Sequence, residues 1–338
     1  MLSMGLPLLQ YVPVILAPPI TFLILYRLWK RYSTKRMCLR HQHFMITGGS
    51  SGIGKALALE IARRGGNVTI IARNKERLED VKLELLDAAQ TPEQAMHIIS
   101  VDLANDLDSL VGEVNDAEDC CGPVDYLVNC AGSAVSHRFE DTPLADFENM
   151  MKVNYLSAVH ATKAVLPGMK QRKAGSITFV SSIAGVLGMY GFTAYCASKF
   201  ALLGFAEALQ MEVKHCGVDV TVFFPPDTDT PGFTEEQKTK PVETKLICGE
   251  AGLVSAQSVA ECMLLDVLER NFVGTVGIDG RVILTLCAGM MPFNSWLDLC
   301  VQVIGMGFLR LIGVSHLAKF YRIVAQCAAK REGTRKAA

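Results

Sequence analysis

Between His43 and about Val282, short β-rich runs alternate with longer amphipathic segments, and this alternation limits the fold more than any other feature of the chain. Six runs have the length and β-branched content of strands: FMITGG, VTIIA, MHIISVD, VDYLVNCAG, GSITFVSS and VDVTVFFPP. The segments between them carry apolar residues at three- and four-residue spacing, and several end at glycine, as helices do. Nearly continuous apolar strands that alternate with helices are typical of a parallel sheet covered on both faces. The sequence therefore predicts an α/β fold with a single doubly wound domain over residues 41–280.

A glycine-rich stretch, ITGGSSGIG, follows the first predicted strand and opens the first predicted helix. A dinucleotide-binding turn requires this context. Its glycines allow the turn, the approach of the backbone to a pyrophosphate and close helix packing, while the helix N-terminus supplies free N–H groups. The predicted domain is therefore of the Rossmann type, and the residues expected at the phosphates are Gly48, Ser50, Ser51, Gly52, Ile53 and Gly54.

Charge and cysteine content bear on the class of function. The net charge is −1, so nothing in the global charge indicates a nucleic-acid partner. The eleven cysteines show no spacing typical of metal ligands, and we predict no metal site. Cys120 and Cys121 are adjacent, which is a poor geometry for a structural disulfide. We therefore expect reduced cysteines in a protein that faces the cytosol.

The N-terminal segment, residues 1–40, has the pattern of a membrane anchor. Residues Met1 to Tyr26 contain no charged side chain, and this run is long enough for a helix to cross a bilayer. Four prolines count against one straight helix, although membrane helices tolerate proline: Pro7, Pro13, Pro18 and Pro19. A cleaved signal peptide, the alternative, would carry positive charge ahead of the apolar run, whereas here the basic residues follow it. We predict a retained anchor with the rest of the chain in the cytosol.

The C-terminal segment, residues 281–338, is also apolar. Between Arg281 and Arg310 the only charged residue is Asp298, and the turn residues PFNS interrupt the run. The arms on either side of this turn are too short to span a bilayer unless the second continues past Arg310. We predict a shallow hairpin or an interfacial helix on the membrane. The alternative is a core helix or an interface between copies of the chain in a homo-oligomer.

Several motifs occur together in an order that is specific. They are Thr47-Gly48-x3-Gly52-x-Gly54, Asn129-Cys130-Ala131-Gly132, Asn154, Ser182 and Tyr195-x3-Lys199. Tyr-x-x-x-Lys alone would be found in many amphipathic helices. Preceded by Ser182 and by the glycine turn, it resembles the short-chain dehydrogenase/reductase family over roughly residues 42–280.

Tyr195 and Lys199 lie one helical turn apart, so both side chains are on the same face. A free tyrosine has a pKa of roughly 10, and a neighbouring cation should lower it toward the range useful for proton transfer. The resemblance implies that Tyr195 donates the proton during reduction of a ketone, Ser182 holds the substrate carbonyl and Asn154 anchors a water. It also implies that Lys199 and Tyr195 contact the nicotinamide ribose, that Asn129 contacts the cofactor, and that Thr230 meets the carboxamide.

The residues after the second strand favour NADPH over NADH. An NAD site usually has an acidic residue there for the ribose 2′-hydroxyl. This chain has Arg73 instead, whose guanidinium can hold a 2′-phosphate, with Arg77 and Ser51 as further donors. The alternative is that both arginines only solvate a helix start. By resemblance, Asp102 and Leu103 contact the adenine.

The predicted substrate is a lipid-like ketone. PPDTDTPGF, FTAYCASKFA, the N-terminal anchor and the apolar tail resemble members of the family that reduce long-chain sphingoid ketones at the cytosolic face of the endoplasmic reticulum. Pro226 replaces the usual glycine and Cys130 a common asparagine, and neither change removes a catalytic group. The alternatives are an anchored reductase of a steroid, retinoid or fatty-acyl ketone, and a non-catalytic membrane scaffold.

The polar connection Thr228–Leu246 follows the sixth strand, where this fold binds its substrate. Pro231-Gly232 and Pro241 have the character of hinges, so we expect this connection to close over the substrate as a lid. A sphingoid ketone carries an ammonium group beside its carbonyl. We expect one nearby carboxylate to bind it, the candidates being Asp229, Glu235 and Glu236. The alternative is that these carboxylates only solvate a short helix.

Overall fold

The computed structural model describes residues 12–105, 107–249 and 252–337, with side chains from 21 to 331 except 107–109. Seven parallel strands form one sheet, and their bounds are β1 His43–Thr47, β2 Asn67–Ala72, β3 Met96–Ser100, β4 Val124–Asn129, β5 Gly175–Val180, β6 Val218–Phe224 and β9 Val273–Thr275. Their order in the sheet is β3-β2-β1-β4-β5-β6-β9. A small second sheet pairs β7 Thr228–Asp229 with β8 Val254–Ser255. The predicted doubly wound α/β fold is confirmed.

Helices cover both faces of this sheet. In the described residues the α-helices are α1 Val12–Lys35, α2 Gly52–Arg63, α3 Lys75–Ala88, α4 Leu107–Cys121, α5 Leu144–Met150, α6 Ser157–Arg172, α7 Thr193–Val213, α8 Pro231–Thr239, α9 Val242–Cys248, α10 Ala256–Leu268, α11 Gly277–Leu286 and α12 Trp296–Ala337. One buried apolar cluster joins α4, α6 and α7 to the sheet, and a second joins α2, α3 and α10 to the opposite face. The two clusters explain why the strands are apolar on both sides.

The strand order reverses direction beside β1, which lies between β2 and β4. Thr47 at the end of β1 is in register with Asn129 at the end of β4. A crevice therefore opens at the carboxyl ends of these two strands, and this is where open α/β sheets bind their ligands. The glycine turn and the Asn129–Gly132 motif both begin at this crevice.

Strand β9 was missed by the sequence analysis. It has three residues, Val273–Thr275, and is held at the sheet edge by pairing with β6. A run this short shows no period of its own, and its strand conformation depends on a neighbour that is about 50 residues away in the chain.

The N-terminal helix α1 is continuous through Pro18 and Pro19, in agreement with the tolerance of membrane helices for proline. Pro13 lies in the first turn, where no N–H partner is needed. Arg27 forms an ion pair with Asp298 at the start of α12, and the large apolar side chains Phe22 and Trp29 are exposed. Residues 1–11 of the predicted anchor lie outside the described residues, and the retained anchor stays a prediction.

The C-terminal segment contains the long helix α12. The second arm continues past Arg310 as one helix, so this arm is long enough to span a bilayer, and both the shallow hairpin and the interfacial helix stay predictions. Among the described residues, one helical stretch, Trp296–Arg331, is long and apolar enough to cross a membrane. Large side chains along it, including Ile304, Phe308 and Leu311, are exposed. Its length and composition make it a candidate membrane segment.

Candidate active site

A single cavity of about 700 Å³ runs from the glycine turn to the N-terminal end of α7. It is large enough to enclose a cofactor-sized ligand. Most of the residues predicted at the cofactor or in catalysis line it, namely Gly48, Ser50, Ser51, Gly52, Ile53, Gly54, Arg73, Arg77, Asp102, Leu103, Ser182, Tyr195, Lys199 and Thr230. Asn129 and Asn154 are buried behind this lining. The structure therefore brings these residues together around one connected cavity.

The glycine turn forms a surface that a phosphate can approach. Gly48 has φ +68°, and a Cβ there would lie 2.9 Å from the backbone of Ala131. A Cβ on Gly54 would lie 2.5 Å from the carbonyl oxygen of Gly48. Side chains are thus excluded where α2 meets the turn, and the first N–H groups of α2 face the cavity end. These residues fit the pyrophosphate of a dinucleotide.

Thr47 connects this turn to the neighbouring strand. Its hydroxyl oxygen accepts hydrogen bonds from the N–H groups of Cys130 and Ala131, both at 3.0 Å. The side chain of Asn129 is 3% exposed, and its amide donates to the Thr162 hydroxyl at 3.4 Å. Asn129 therefore packs behind the residues that line the cavity, and its contact with the cofactor stays a prediction.

Tyr195 and Lys199 lie on one face of α7, as their spacing predicts. The Lys199 ammonium donates to the carbonyl oxygen of Val180 at 2.9 Å and lies 5.8 Å from the centre of the Tyr195 ring. Ser182 follows β5 and lines the same cavity as Tyr195, and its hydroxyl accepts from the Ala184 N–H at 3.2 Å. A serine, a tyrosine and a lysine therefore line one cavity, which Asp102 also lines.

The pKa of Tyr195 differs from the expectation. Burial raises this pKa above the usual range of tyrosine, and the nearby Ser182 side chain only partly opposes the rise. Burial also lowers the pKa of Lys199 to about 8. The predicted lowering of the Tyr195 pKa by Lys199 is therefore not what the structure shows, because desolvation of the phenol dominates. Tyr195 is held as the protonated phenol, which is the form that donates a proton.

Asn154 lies in a π-helical segment, Met151–Leu156, between α5 and α6. Its amide oxygen accepts from the N–H of Ser133 at 2.8 Å, and its amide nitrogen donates to the Ser133 carbonyl at 3.0 Å and to the Ser198 hydroxyl at 2.9 Å. A Cβ on Gly132 would lie 2.9 Å from the Asn154 oxygen and 3.3 Å from the Lys199 nitrogen. Asn154 therefore lies across Gly132 from Lys199.

The two arginines that follow β2, Arg73 and Arg77, also line the cavity. Both are exposed, and neither makes an ion pair within the part of the chain that the structure describes. The Arg77 backbone N–H donates to the Asn74 side chain, which caps α3. Asp102 follows β3, where its carboxylate accepts hydrogen bonds from the Ala104 N–H and the Asn105 amide. The guanidinium groups are thus available to a phosphate on the ribose side.

An apolar wall, which was not predicted from the sequence, also lines the cavity. Its members come from α8, α9, α11 and α12 and from the loop before α7, and they include Met189, Phe192, Phe233, Ile247, Ile283 and Phe320. Phe320 belongs to the long C-terminal helix. These residues are far apart in the chain, so no local pattern could have grouped them.

The predicted lid over Thr228–Leu246 consists largely of the short helices α8 and α9. The Thr230 hydroxyl caps α8 by accepting from the Phe233 N–H at 3.1 Å, and its methyl lies against Gly52. Of the three candidate carboxylates, Glu236 lines the cavity, whereas Asp229 and Glu235 are exposed outside it. The closing motion of this segment stays a prediction.

Comparison with protein families agrees with this geometry. Residues 42–241 match the family described as short chain dehydrogenase. The chain belongs to this family. Membership implies a nicotinamide cofactor and the activity of an oxidoreductase, and it accounts for the glycine turn at the end of β1.

The chain is also similar to curated relatives over nearly its whole length. It is 44% identical to 3-dehydrosphinganine reductase of Danio rerio over 310 residues, which cover 92% of this chain and 93% of the relative. It is 43% identical to 3-ketodihydrosphingosine reductase of Mus musculus, covering 91% and 93%. A 3-dehydrosphinganine reductase of Arabidopsis thaliana is 36% identical, covering 85% of each chain.

Among solved structures, a levodione reductase has a similar fold. The TM-score is 0.65 at 21% identity, and the match covers 72% of this chain and 98% of the other. The likeness concerns the fold of the sheet and its helices.

Proposed function

We propose that this protein reduces 3-ketosphinganine to sphinganine with NADPH. The observation that carries this proposal is the similarity to 3-dehydrosphinganine reductases over more than nine tenths of both chains. The apolar wall supports it, because a long-chain ketone needs apolar surface beside the catalytic group. The serine, tyrosine and lysine at this wall supply the polar groups that such a reduction needs.

The chain's own residues bind and orient the ketone and move one proton. When bound, the nicotinamide cofactor supplies the hydride. The Ser182 hydroxyl holds the substrate carbonyl oxygen, and the Tyr195 phenol donates its proton to that oxygen as negative charge develops there. The Lys199 ammonium stabilises the phenolate that remains and would hold the nicotinamide ribose. Asn154 would orient a water that returns a proton to the Tyr195 phenolate.

We assign the cofactor as NADPH because of Arg73. Its guanidinium lies at the end of β2, lines the cavity and has no carboxylate partner in the described ranges. A 2′-phosphate would provide that partner through two parallel hydrogen bonds. Arg77 and the Ser51 hydroxyl line the same end of the cavity.

The variant Arg73→Asp should lower kcat/KM with NADPH by about 10- to 100-fold, because it removes a charge-assisted bond and adds repulsion. The value with NADH should hold or rise. Lys75→Asp is the matched control, since Lys75 is exposed two residues away and does not line the cavity. Steady-state rates with both cofactors give the ratio. If Arg73→Asp and Lys75→Asp shift the ratio of kcat/KM with NADPH to kcat/KM with NADH equally, Arg73 only solvates the start of α3.

We place the protein at the endoplasmic reticulum membrane with the catalytic domain in the cytosol. The exposed apolar residues of α1 and α12 support membrane attachment, and the basic residues after the N-terminal apolar run support the orientation. Protease protection on sealed microsomes tests the orientation. Protection of the catalytic domain from added protease would contradict it.

The alternatives differ in substrate or in class. A steroid, retinoid or fatty-acyl ketone would suit the same catalytic groups, and a scaffold would need none of them. Purified protein assayed against 3-ketosphinganine and one ketone of each other type separates these functions. The highest kcat/KM is expected with 3-ketosphinganine. A higher value with another ketone would reassign the substrate, and no oxidation of NADPH with any of them would favour the scaffold.

A further inference from the structure

Two carboxylates face the cavity close to Tyr195. The Glu236 side chain on α8 is 11% exposed, and the Asp227 side chain, just before β7, is 34% exposed. Both line the cavity that contains Tyr195, and both contribute to raising the pKa of the Tyr195 phenol. The negative charge of this pair therefore acts on the phenol that donates the proton.

One buried cation, the Lys240 ammonium, lies close to both carboxylates. The Lys240 ammonium lies 2.8 Å from a Glu236 oxygen and 3.7 Å from an Asp227 oxygen, and its side chain is 1% exposed. It packs over the rings of Phe192 and Phe233, at 5.3 and 5.1 Å from their centres. Lys240 does not line the main cavity but borders a smaller one on the far side. Two carboxylates and one ammonium leave a net charge of −1 toward the main cavity.

This net charge opposes the stabilisation of the phenolate by the Lys199 ammonium unless a further cation lies beside the two carboxylates. When Tyr195 gives up its proton, the phenolate that remains is repelled by Glu236 and Asp227. A cation between the carboxylates and the phenol would cancel that repulsion and would compensate the cost of burying the extra charge. The ammonium of a 2-amino ketone is one carbon from the reacting carbonyl, so a ketone bound at Tyr195 would bring it into the cavity that Glu236 and Asp227 also line.

We propose that Glu236, with Asp227 beside it, binds the ammonium group of the substrate and selects a 2-amino ketone over a neutral one. This inference rests on the proposed function for the identity of the amino ketone. Among the three carboxylates that the sequence suggested, Glu235 is paired with Lys238 on the exposed face of α8, and Asp229 is also exposed. Glu236 is thus a specificity residue that lies on the inner face of the same helix.

The test compares 3-ketosphinganine with its N-acetylated analogue, which lacks the positive charge. Glu236→Gln should lower kcat/KM for 3-ketosphinganine by about 10- to 100-fold and change it by no more than about twofold for the analogue. Glu235→Gln, one residue away and outside the cavity, should leave both values unchanged. If Glu236→Gln lowers both substrates by the same factor, or neither, the inference is wrong. Where the analogue is not turned over, its inhibition constant replaces kcat/KM in this comparison.

Glu236→Gln leaves the buried Lys240 with one distant carboxylate and so can disturb folding. The double variant Glu236→Gln, Lys240→Met removes the unpaired cation as well, and it should show the same loss confined to the amino ketone. The midpoint of thermal unfolding checks that each variant is folded. If the unmodified protein fails to reduce 3-ketosphinganine, the proposed function is wrong and this inference with it. If the unmodified protein does reduce that ketone, and both variants prefer it over the N-acetylated analogue by the same factor as the unmodified protein, only the inference is wrong.

Discussion

Tyr195→Phe is expected to lower kcat by about 10²- to 10⁴-fold, which is the usual contribution of a positioned proton donor. The variant removes one oxygen from the side chain and keeps the ring that packs against Phe192. Folding and cofactor affinity should therefore persist. Burial keeps the pKa of Tyr195 above its usual range, so the phenol remains a proton donor across the neutral range.

Tyr190→Phe is the matched control for this prediction. Tyr190 lies five residues earlier, does not line the cavity, and places its hydroxyl 3.4 Å from Glu243. Its replacement should leave kcat within about twofold. Cofactor binding, measured by the fluorescence of the reduced nicotinamide, should be the same in both variants. Near-full activity in Tyr195→Phe would remove Tyr195 from the mechanism.

Lys199→Met should lower kcat/KM on the order of 10²-fold or more and should also weaken cofactor binding. Methionine retains most of the buried volume of Lys199, so the loss should come from the missing ammonium. That group stabilises the phenolate and contacts the ribose in the proposed mechanism. Unchanged cofactor affinity in a folded variant would contradict the ribose contact.

The same residue predicts a pH dependence. Because burial lowers the pKa of Lys199 to about 8, its ammonium is present at pH 7 and is lost as the pH rises past about 8. The kcat/KM of the unmodified protein, which reports the free enzyme, should therefore fall on the alkaline side of about pH 8. Lys199→Met should lack this fall. A profile that stays flat to pH 10 in the unmodified protein would show that the charge of Lys199 is not needed.

The sequence predicted most of the sheet because each long strand carries its own signal. Apolar, β-branched runs followed by glycine turns or helices specify a parallel sheet locally, and β1 and β2 match their predicted runs closely. By contrast, β9 has three residues and forms only because β6 is beside it. The turn residues before Trp296 predicted a break in the C-terminal apolar run, but they did not show that the following helix extends to Ala337.

In the candidate site, motif order predicted which residues share the cavity, while tertiary packing set their chemistry. Spacing placed Tyr195 and Lys199 on one face, but the raised pKa of Tyr195 depends on burial, which spacing does not show. Glu235 and Glu236 are adjacent and identical in type, and only the docking of α8 places one inside the cavity and the other outside. Phe320 reaches the cavity through a helix more than 100 residues after Tyr195.

Incubating the purified full-length chain with 3-ketosphinganine and NADPH, in detergent or in vesicles, measures the proposed reduction. Mass spectrometry quantifies the sphinganine formed, and absorbance follows the cofactor consumed. One sphinganine should form for each NADPH oxidised, the rate should be lower with NADH, and almost no sphinganine should form with Tyr195→Phe. Absence of sphinganine under conditions in which the same preparation binds NADPH would contradict the proposed function.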